Sequence, residues 1–528
     1  MSPLPPLSSP GKLGELPNNT KEQWWRDSGL RRLVFWQACI LVSQMTVGYD
    51  ESVTGSFQAM QPWRDSMGDP TSSDVGLITA IIFVGGFVGA FFASPLADRY
   101  GRRPALAFGS LLCVVGAALQ SAAQEKGMFI GGRLIIGFGI SFTTSAGPSL
   151  LNELAHPRMR GQVASMFNVL WYVGSIIASW LTFGTGHLSS TWSWRIPSIV
   201  QGVPAALVLL SVPSMPESPR YLCSRGRADE ALHILTAYHA NGAPADPLVA
   251  HELQQIHAAL AASRATITWP QALRSRTHRA RLGICIAVAV LTLWTGQGVI
   301  AYYFSPMLAS VGIAATAAQT GINGGMQVWN FACALAGALL ADRVGRRPLW
   351  LLSFGGMIAA NVPLVVTSAR YAEGGSKGAA YVTVVLLFLY NAAFNLACNP
   401  LIYAYPTELL PYGLRTKGLS LQIAVSQAAL TVNNYVNPIA LEAIGYWFFV
   451  FYLGMLVAAV GIVWKWFPET KGKSLEELAT LFEDREHDGR GGDPEVVVIE
   501  GVSVDAEGRA DGGLVEVVET VKGIEDKM

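Results

Sequence analysis

Mostly apolar stretches of about 20 residues recur along this chain, and they limit its fold more than any other feature. They lie at 34–56, 75–97, 105–123, 127–151, 161–185, 196–213, 281–309, 318–341, 348–368, 378–405, 418–440 and 445–467. A helix of about 20 residues crosses the hydrocarbon core of a bilayer, where its backbone polar groups must be satisfied within the helix itself. The 528 residues are 51% hydrophobic and only 14% charged, whereas a soluble domain carries about 25% charged residues. Much of the surface is therefore expected never to meet water. The net charge is zero, so nothing points to nucleic acid.

The expected fold is an all-α polytopic membrane protein with twelve spans. Residues 1–33 form a polar, proline-rich segment without an apolar core, so no signal peptide is expected and the first span directs its own insertion. Residues 214–280 form a charged central loop with helical patterning at 226–238 and 248–262. After 467 comes a segment, 468–486, whose Leu475, Leu478, Leu481 and Phe482 fall on one helical face. Residues 487–528 read as a disordered acidic tail, since 483–528 carries 14 acidic and 5 basic residues. The six cysteines show neither metal-ligand spacing nor a disulfide framework, and read as small packing residues.

Basic residues set the expected orientation. The N-terminal segment and the loops after spans 2, 4, 6, 8 and 10 hold 23 Lys and Arg; the loops on the other side hold five. Both termini are then cytoplasmic, which requires an even number of spans.

An internal repeat divides the spans into two sets of six. Asp98-Arg-Tyr-Gly-Arg-Arg-Pro104 recurs as Asp342-Arg-Val-Gly-Arg-Arg-Pro348, an offset of 244. Glu153 stands seven residues before Arg160, as Glu408 stands seven before Arg415, an offset of 255. Pro216-Glu-Ser recurs as Pro468-Glu-Thr, an offset of 252. Parallel repeats of this kind describe a carrier whose halves, here 34–213 and 281–467, rock about a site near the membrane midplane.

With these motifs the chain resembles the major facilitator superfamily and, within it, the sugar porters. Pro216-Glu-Ser-Pro-Arg220, Pro468-Glu-Thr-Lys-Gly472, Gly48-Tyr-Asp50 and Gly132-Arg133 match that family, over roughly 30–480. Phe167-Asn-Val-Leu-Trp-Tyr172, Thr295-Gly-Gln-Gly-Val-Ile-Ala-Tyr-Tyr303 and Asn437-Pro-Ile-Ala-Leu-Glu-Ala-Ile-Gly445 look closer to its fungal lactose-permease and cellodextrin-transporter branch. Ser94 and Ala338 replace the leading glycines of the two loop motifs. Thr292 and Leu293 stand where many members place a glutamine pair, Gly298 where they place an asparagine, and Tyr403 where they place a tryptophan. Those positions contact sugar in the family, so they bear on the substrate and not on the fold.

Three sets of residues carry the expected chemistry. At the cytoplasmic level, Asp98, Arg102, Arg103, Glu153, Arg160, Glu217 and Arg220 face their repeats Asp342, Arg346, Arg347, Glu408, Arg415 and Glu469. Arginine and carboxylate pair bidentately, and the resemblance implies that such pairs latch the outward-open state; topology alone is the plainer reading of the arginines. Within the spans, Asn168, Trp171, Gln297, Tyr302, Asn330, Asn399 and Tyr403 are polar or aromatic residues suited to sugar hydroxyls and ring faces. Interhelical glue is the alternative for each. Asp50 and Arg133 each lie about six residues from the outer end of a span, so both sit roughly 9 Å below the outer surface. Opposite charges at one depth in a bilayer are costly unless paired, and mark function by default. Glu51 points about 100° away around the helix and has no assigned role.

All eight histidines fall outside the spans and are expected to be solvated, without a metal site. No nucleophile–base set or phosphate-binding glycine loop suggests an enzyme, and no cofactor is expected. The expected function is proton-coupled sugar symport by alternating access, with a hexose or a disaccharide such as lactose or cellobiose as substrate. Facilitative uniport and non-transporting nutrient sensing are the rivals, and polyols, inositol or quinate stay open as substrates. The partners are then sugar, proton and lipid bilayer, in a monomer of the plasma membrane.

Overall fold

The computed structural model describes residues 18–471, apart from 22, 244–245, 264–266, 311, 314, 375–376 and 446. The amphipathic segment at 474–486 and the acidic tail lie outside the described residues. Every regular element described is helical, without a strand. A first group comprises α1 (Ser28–Phe57), α2 (Gln61–Ser66), α3 (Ser72–Tyr100), α4 (Arg102–Ser121), α5 (Lys126–Leu154), α6 (Arg160–Thr185), α7 (Trp192–Val200) and α8 (Gly202–Ser211). Four short helices follow: α9 (Pro219–Ser224), α10 (Ala228–His239), α11 (Pro247–Ser263) and α12 (Trp269–Arg274). The second group comprises α13 (Arg276–Leu293), α14 (Gln297–Tyr302), α15 (Phe304–Ser310), α16 (Thr316–Val344), α17 (Arg346–Gly374), α18 (Lys377–Leu409), α19 (Tyr412–Ile444) and α20 (Trp447–Trp466).

Local chemistry starts these helices where they start. Asp27 caps α1, its Oδ1 accepting from the Leu30 N–H at 2.9 Å, and Thr71 and Asp74 form a reciprocal capping box on α3. The two groups then pack alike. In the first, α4 lies on α5, α3 on α5, α1 on α6 and α4 on α8; in the second, α17 lies on α18, α16 on α18, α13 on α19 and α17 on α20. The joints between groups obey the same symmetry, α3 against α19 and α6 against α16. The sequence repeat is thus a repeat of packing.

Side-chain bonds between the two bundles lie at mid-height or towards the face away from the repeated motifs. Gln58 Nε2 donates to the Tyr302 carbonyl at 2.7 Å, Ser305 Oγ to the Gly55 carbonyl at 2.9 Å, and Thr316 Oγ1 to the Ala59 carbonyl at 2.8 Å. Asn323 Nδ2 donates to Ser56 Oγ at 3.1 Å. At mid-height the Tyr172 hydroxyl meets Asn395 and Asn399 of α18. The described hydrogen bonds on the motif face stay within one bundle or run to the N-terminal segment and the central loop.

Among the described residues, eight helical segments are long and apolar enough to cross a membrane: Ser72–Tyr100, Arg102–Ser121, Lys126–Leu154, Met166–Thr185, Trp192–Ser214, Arg346–Arg370, Tyr381–Leu409 and Trp447–Trp466. The other four expected spans fall on α1, α13 to α15, α16 and α19, which are helical but more polar or broken. These helices bury Asp50, Asn323, Gln327, Asn330, Asn433, Asn434 and Asn437 in the protein interior. The seventh span is not the single helix expected at 281–309. It breaks at Gly296, whose φ of 96° is left-handed. The Tyr390 hydroxyl takes the Thr295 carbonyl that the break frees.

Two histidines are not solvated as expected. His156 and His239 are buried with their rings 5.1 Å apart. His239 Nδ1 faces Glu252 at 2.6 Å and Nε2 faces the Leu154 carbonyl at 3.1 Å, so the short helices are docked under the end of α5. The cause is the small apolar core of the loop, where Leu235, Ala240 and Val249 bury against one another. Burial, helped by the charges of His239, Arg158 and Arg160, pushes the His156 imidazole down to about 3.

The α1–α6 crossing is close enough to test by one methyl group. A Cβ on Gly48 would stand 1.9 Å from the Trp171 carbonyl oxygen. Gly48→Ala is expected to cost about 1–3 kcal/mol through overpacking, read as a lower thermal unfolding midpoint in detergent. An unchanged midpoint would mean that the crossing is slack.

Candidate functional site

Asp50 and Arg133 are each 1% exposed, and the fold brings them together. Their contact is long: Arg133 Nη2 lies 3.4 Å from Asp50 Oδ2, and Nη1 3.5 Å from Oδ1. The shorter bonds of the guanidinium go to neutral acceptors, Nε to the Ile78 carbonyl and Nη1 to Thr54 Oγ1, both at 2.7 Å. Gln201 Nε2 donates to Asp50 Oδ1, and Gln120 Nε2 holds Gln201 Oε1 at 3.1 Å. The knot thus ties α1, α3, α4 and α5 to the joint between α7 and α8. Gln201 and Gln120 are partners that the sequence did not reveal, since a lone glutamine in an apolar span carries no periodic signal.

The polar and aromatic residues expected to meet substrate fall into three groups. Trp171 and Tyr302 lie beside Glu51. Asn399 bonds the Tyr172 hydroxyl, and Gln297 Nε2 bonds Asn391 Oδ1 at 2.8 Å. Those two amides are engaged with protein partners that the sequence did not single out. Asn168 is half-buried on α6, Asn330 is buried with its Oδ1 unpartnered among the described residues, and Tyr403 is exposed near the motif end of α18. Where Gly298 leaves out a side chain, a Cβ would stand 2.4 Å from Asn433 Oδ1. An amide from α19 therefore occupies the place beside α14. Asn433 is itself bonded to the Tyr452 hydroxyl at 3.0 Å, and that hydroxyl to Asn437 at 2.6 Å.

On the motif face the two bundles repeat one network. Arg102 Nε lies 3.3 Å from Glu153 and Nη2 3.3 Å from Asp98, while Arg346 Nη2 lies 2.8 Å from Glu408. Ser218 Oγ donates to Glu153 at 2.5 Å, as Thr470 Oγ1 does to Glu408 at 2.5 Å. Glu217 accepts from the Arg103 N–H at 3.2 Å, as Glu469 does from the Arg347 N–H at 3.0 Å. The glycines before these arginines let the carboxylates in: a Cβ on Gly101 or Gly345 would stand 2.3 or 2.9 Å from Glu217 or Glu469. Each of these bonds stays within its own bundle. Arg160 lies 3.7 Å from Glu252 of the central loop, and the Arg415 Nε is buried without a hydrogen bond among the described residues. Arg220 lies in α9; the Asp342 side chain lies outside the described residues. Among the described residues no group of three His, Cys, Asp or Glu is placed to hold a metal ion.

A fold of paired helical bundles with a buried ion pair and an interior lined by amides defines a membrane carrier. The family model described as "Sugar (and other) transporter" matches residues 36–482, and the chain belongs to that family, the sugar transporters of the major facilitator superfamily. It is similar to the MFS-type transporter criB of Aspergillus cristatus, 29% identical with 84% of this chain and 92% of that protein covered. Sugar transport protein 5 of Arabidopsis thaliana is 30% identical over 84% of this chain and 92% of its own length. For the H(+)/hexose cotransporter 2 of Parachlorella kessleri the values are 29%, 88% and 89%. Among solved structures, the inward-open xylose transporter XylE of E. coli shares the fold. Its TM-score is 0.71 at 20% identity, over 85% of this chain and 99% of that one. The family consists of carriers and not enzymes.

The paired glutamates of the motif face allow a test of the network. Burial pushes the Glu469 carboxyl up, but the N–H groups of Lys471, Arg346, Arg347 and Thr470 outweigh it and hold it below its ordinary 4.5. A lowered folded value gives stability that is present above the unfolded value and lost as pH falls through the folded one. The thermal midpoint of Glu469→Gln should lie below wild type at neutral pH, and the gap should narrow as pH falls below the ordinary 4.5 and through the lowered folded value. A gap independent of pH would mean that the carboxylate charge plays no part.

Proposed function

We propose that this chain is a proton-coupled sugar symporter of the plasma membrane, with twelve spans, cytoplasmic termini and a monomeric working unit. The carrying observation is the Asp50–Arg133 pair, fully buried yet held by bonds of only 3.4 and 3.5 Å. An intramembrane acid paired in this way can exchange its charge for a proton without stranding the base. When Asp50 is protonated, Arg133 keeps its 2.7 Å bonds to Thr54 and the Ile78 carbonyl.

The motif face is taken as cytoplasmic, because the loops assigned to that side hold 23 Lys and Arg against five opposite. The bonds of Gln58, Ser305, Thr316 and Asn323 then close the outer side, and the arrangement is inward-facing. In the outward-facing state a proton from a more acidic exterior loads Asp50 and sugar enters from the same side. Neutralisation loosens the knot and lets the bundles rock inward. Release of sugar and proton inside restores the pair, and the empty carrier returns. The relatives named as a hexose cotransporter and a sugar transport protein support both cargoes. Asn168 and Asn330 are assigned to sugar hydroxyls from opposite bundles. The substrate is a hexose or a disaccharide such as lactose or cellobiose, with the Asn433 amide beside Gly298 shaping the choice.

In proteoliposomes under an imposed proton gradient, Asp50→Asn is expected to exchange sugar but not to accumulate it, and its transport should lose its dependence on external pH. Accumulation equal to wild type would sink the mechanism. Asn168→Ala and Asn330→Ala should each weaken apparent affinity about 2- to 13-fold, the effect of one lost neutral hydrogen bond. Wild-type affinity in both would remove these residues from the pocket.

A further inference from the structure

Among the described residues, Glu51 is the one acidic residue of the bundle interior that the coupling scheme leaves unused. Its neighbour Asp50 turns into the first bundle. Glu51, about 100° further round α1, turns to Trp171 of α6 and Tyr302 of α14, at the joint between the bundles. It is half-buried where Asp50 is sealed, so it opens on interior space. The described contacts give it no cationic partner: the neighbours that act on it are Tyr302, Asp50 and Trp171. Arg133 is spent on Asp50, Thr54 and the Ile78 carbonyl.

An ionised carboxylate has about four acceptor sites. The Tyr302 hydroxyl and the Trp171 indole N–H stand beside it as donors. Two donors cannot fill four acceptor sites, so the carboxylate keeps acceptors free beside two aromatic side chains. Paired acceptors beside aromatic faces suit a neutral ring compound that carries hydroxyls on adjacent carbons. The hydroxyls bind the oxygens and the C–H face of the ring lies on the indole.

We propose that Glu51 is a substrate-binding carboxylate that grips two adjacent hydroxyls of the transported sugar between Trp171 and Tyr302. This rests on the sugar reading above and adds to it the edge of the sugar that is recognised. Because Tyr302 belongs to the second bundle and Glu51 to the first, the bound diol joins both bundles to one ligand.

The test measures competition in proteoliposomes of wild type, Glu51→Gln and Glu51→Ala. The competitors are D-glucose, D-xylose, lactose and cellobiose, and then every monodeoxy analogue of the best of them. Glu51→Ala is expected to lose roughly 10- to 100-fold in affinity for the parent sugar, as for a charge-assisted contact. Glu51→Gln, nearly the same shape, should lose less. The loss should shrink for the analogues that lack either gripped hydroxyl and persist in full for the others, which is the signature of a direct pairing. An equal loss for every analogue, or a loss traced to a lowered unfolding midpoint of both variants, would make Glu51 structural and overturn the proposal. So would wild-type affinity in Glu51→Ala with sugar transport intact, and that result would leave the sugar reading standing. A wild-type protein that takes up none of the four sugars would overturn that reading and this one together.

Discussion

A fully buried arginine facing a fully buried aspartate is the constraint around which the first bundle is arranged. Removing both charges from water costs several kcal/mol per ion, repaid only where geometry and further hydrogen bonds are good. Here the repayment comes from many elements at once. Arg133 reaches α3 through the Ile78 carbonyl and α1 through Thr54, and Asp50 reaches the α7–α8 joint through Gln201. The direct ion contact is the weakest-looking part of the knot. A static structural bridge would gain from short bidentate bonds; bonds of 3.4 and 3.5 Å suit the parting that the proposed coupling asks of the pair.

The motif-face network follows a different logic. Its carboxylates are partly exposed, they bind backbone N–H groups as well as arginines, and the same pattern is built twice. Because each copy closes within its own bundle, the network makes each bundle a rigid body in this conformation. The bundles meet instead through small polar contacts at mid-height and on the far face. Rigid halves joined by modest, exchangeable bonds are what a rocking carrier requires.

Much of this was legible in the sequence, for identifiable reasons. Apolar length marked the eight clearest spans, and the doubled Asp-Arg-x-Gly-Arg-Arg motif foretold a doubled packing pattern. Asp50 and Arg133 stood out because charges in apolar helices are rare. Gln201 and Asn433 did not, because an amide's partner lies on another helix and spacing along the chain says nothing of it. The break at Gly296 was missed since hydropathy runs straight through it, and the buried His239 because a charged loop can still fold a small core of its own. Glu51 was visible as a second acid, but only the tertiary arrangement shows that it faces Trp171 and Tyr302.

The central claim is that sugar entry and protonation of the buried acid are one event. Its most direct test is a pH electrode in a weakly buffered suspension of sealed vesicles without an imposed gradient, to which the preferred sugar is added. The account predicts immediate alkalinisation of the medium with wild type, and none with Asp50→Asn despite continued sugar entry. Sugar entry without any pH change in the wild type would contradict it and leave a facilitative carrier.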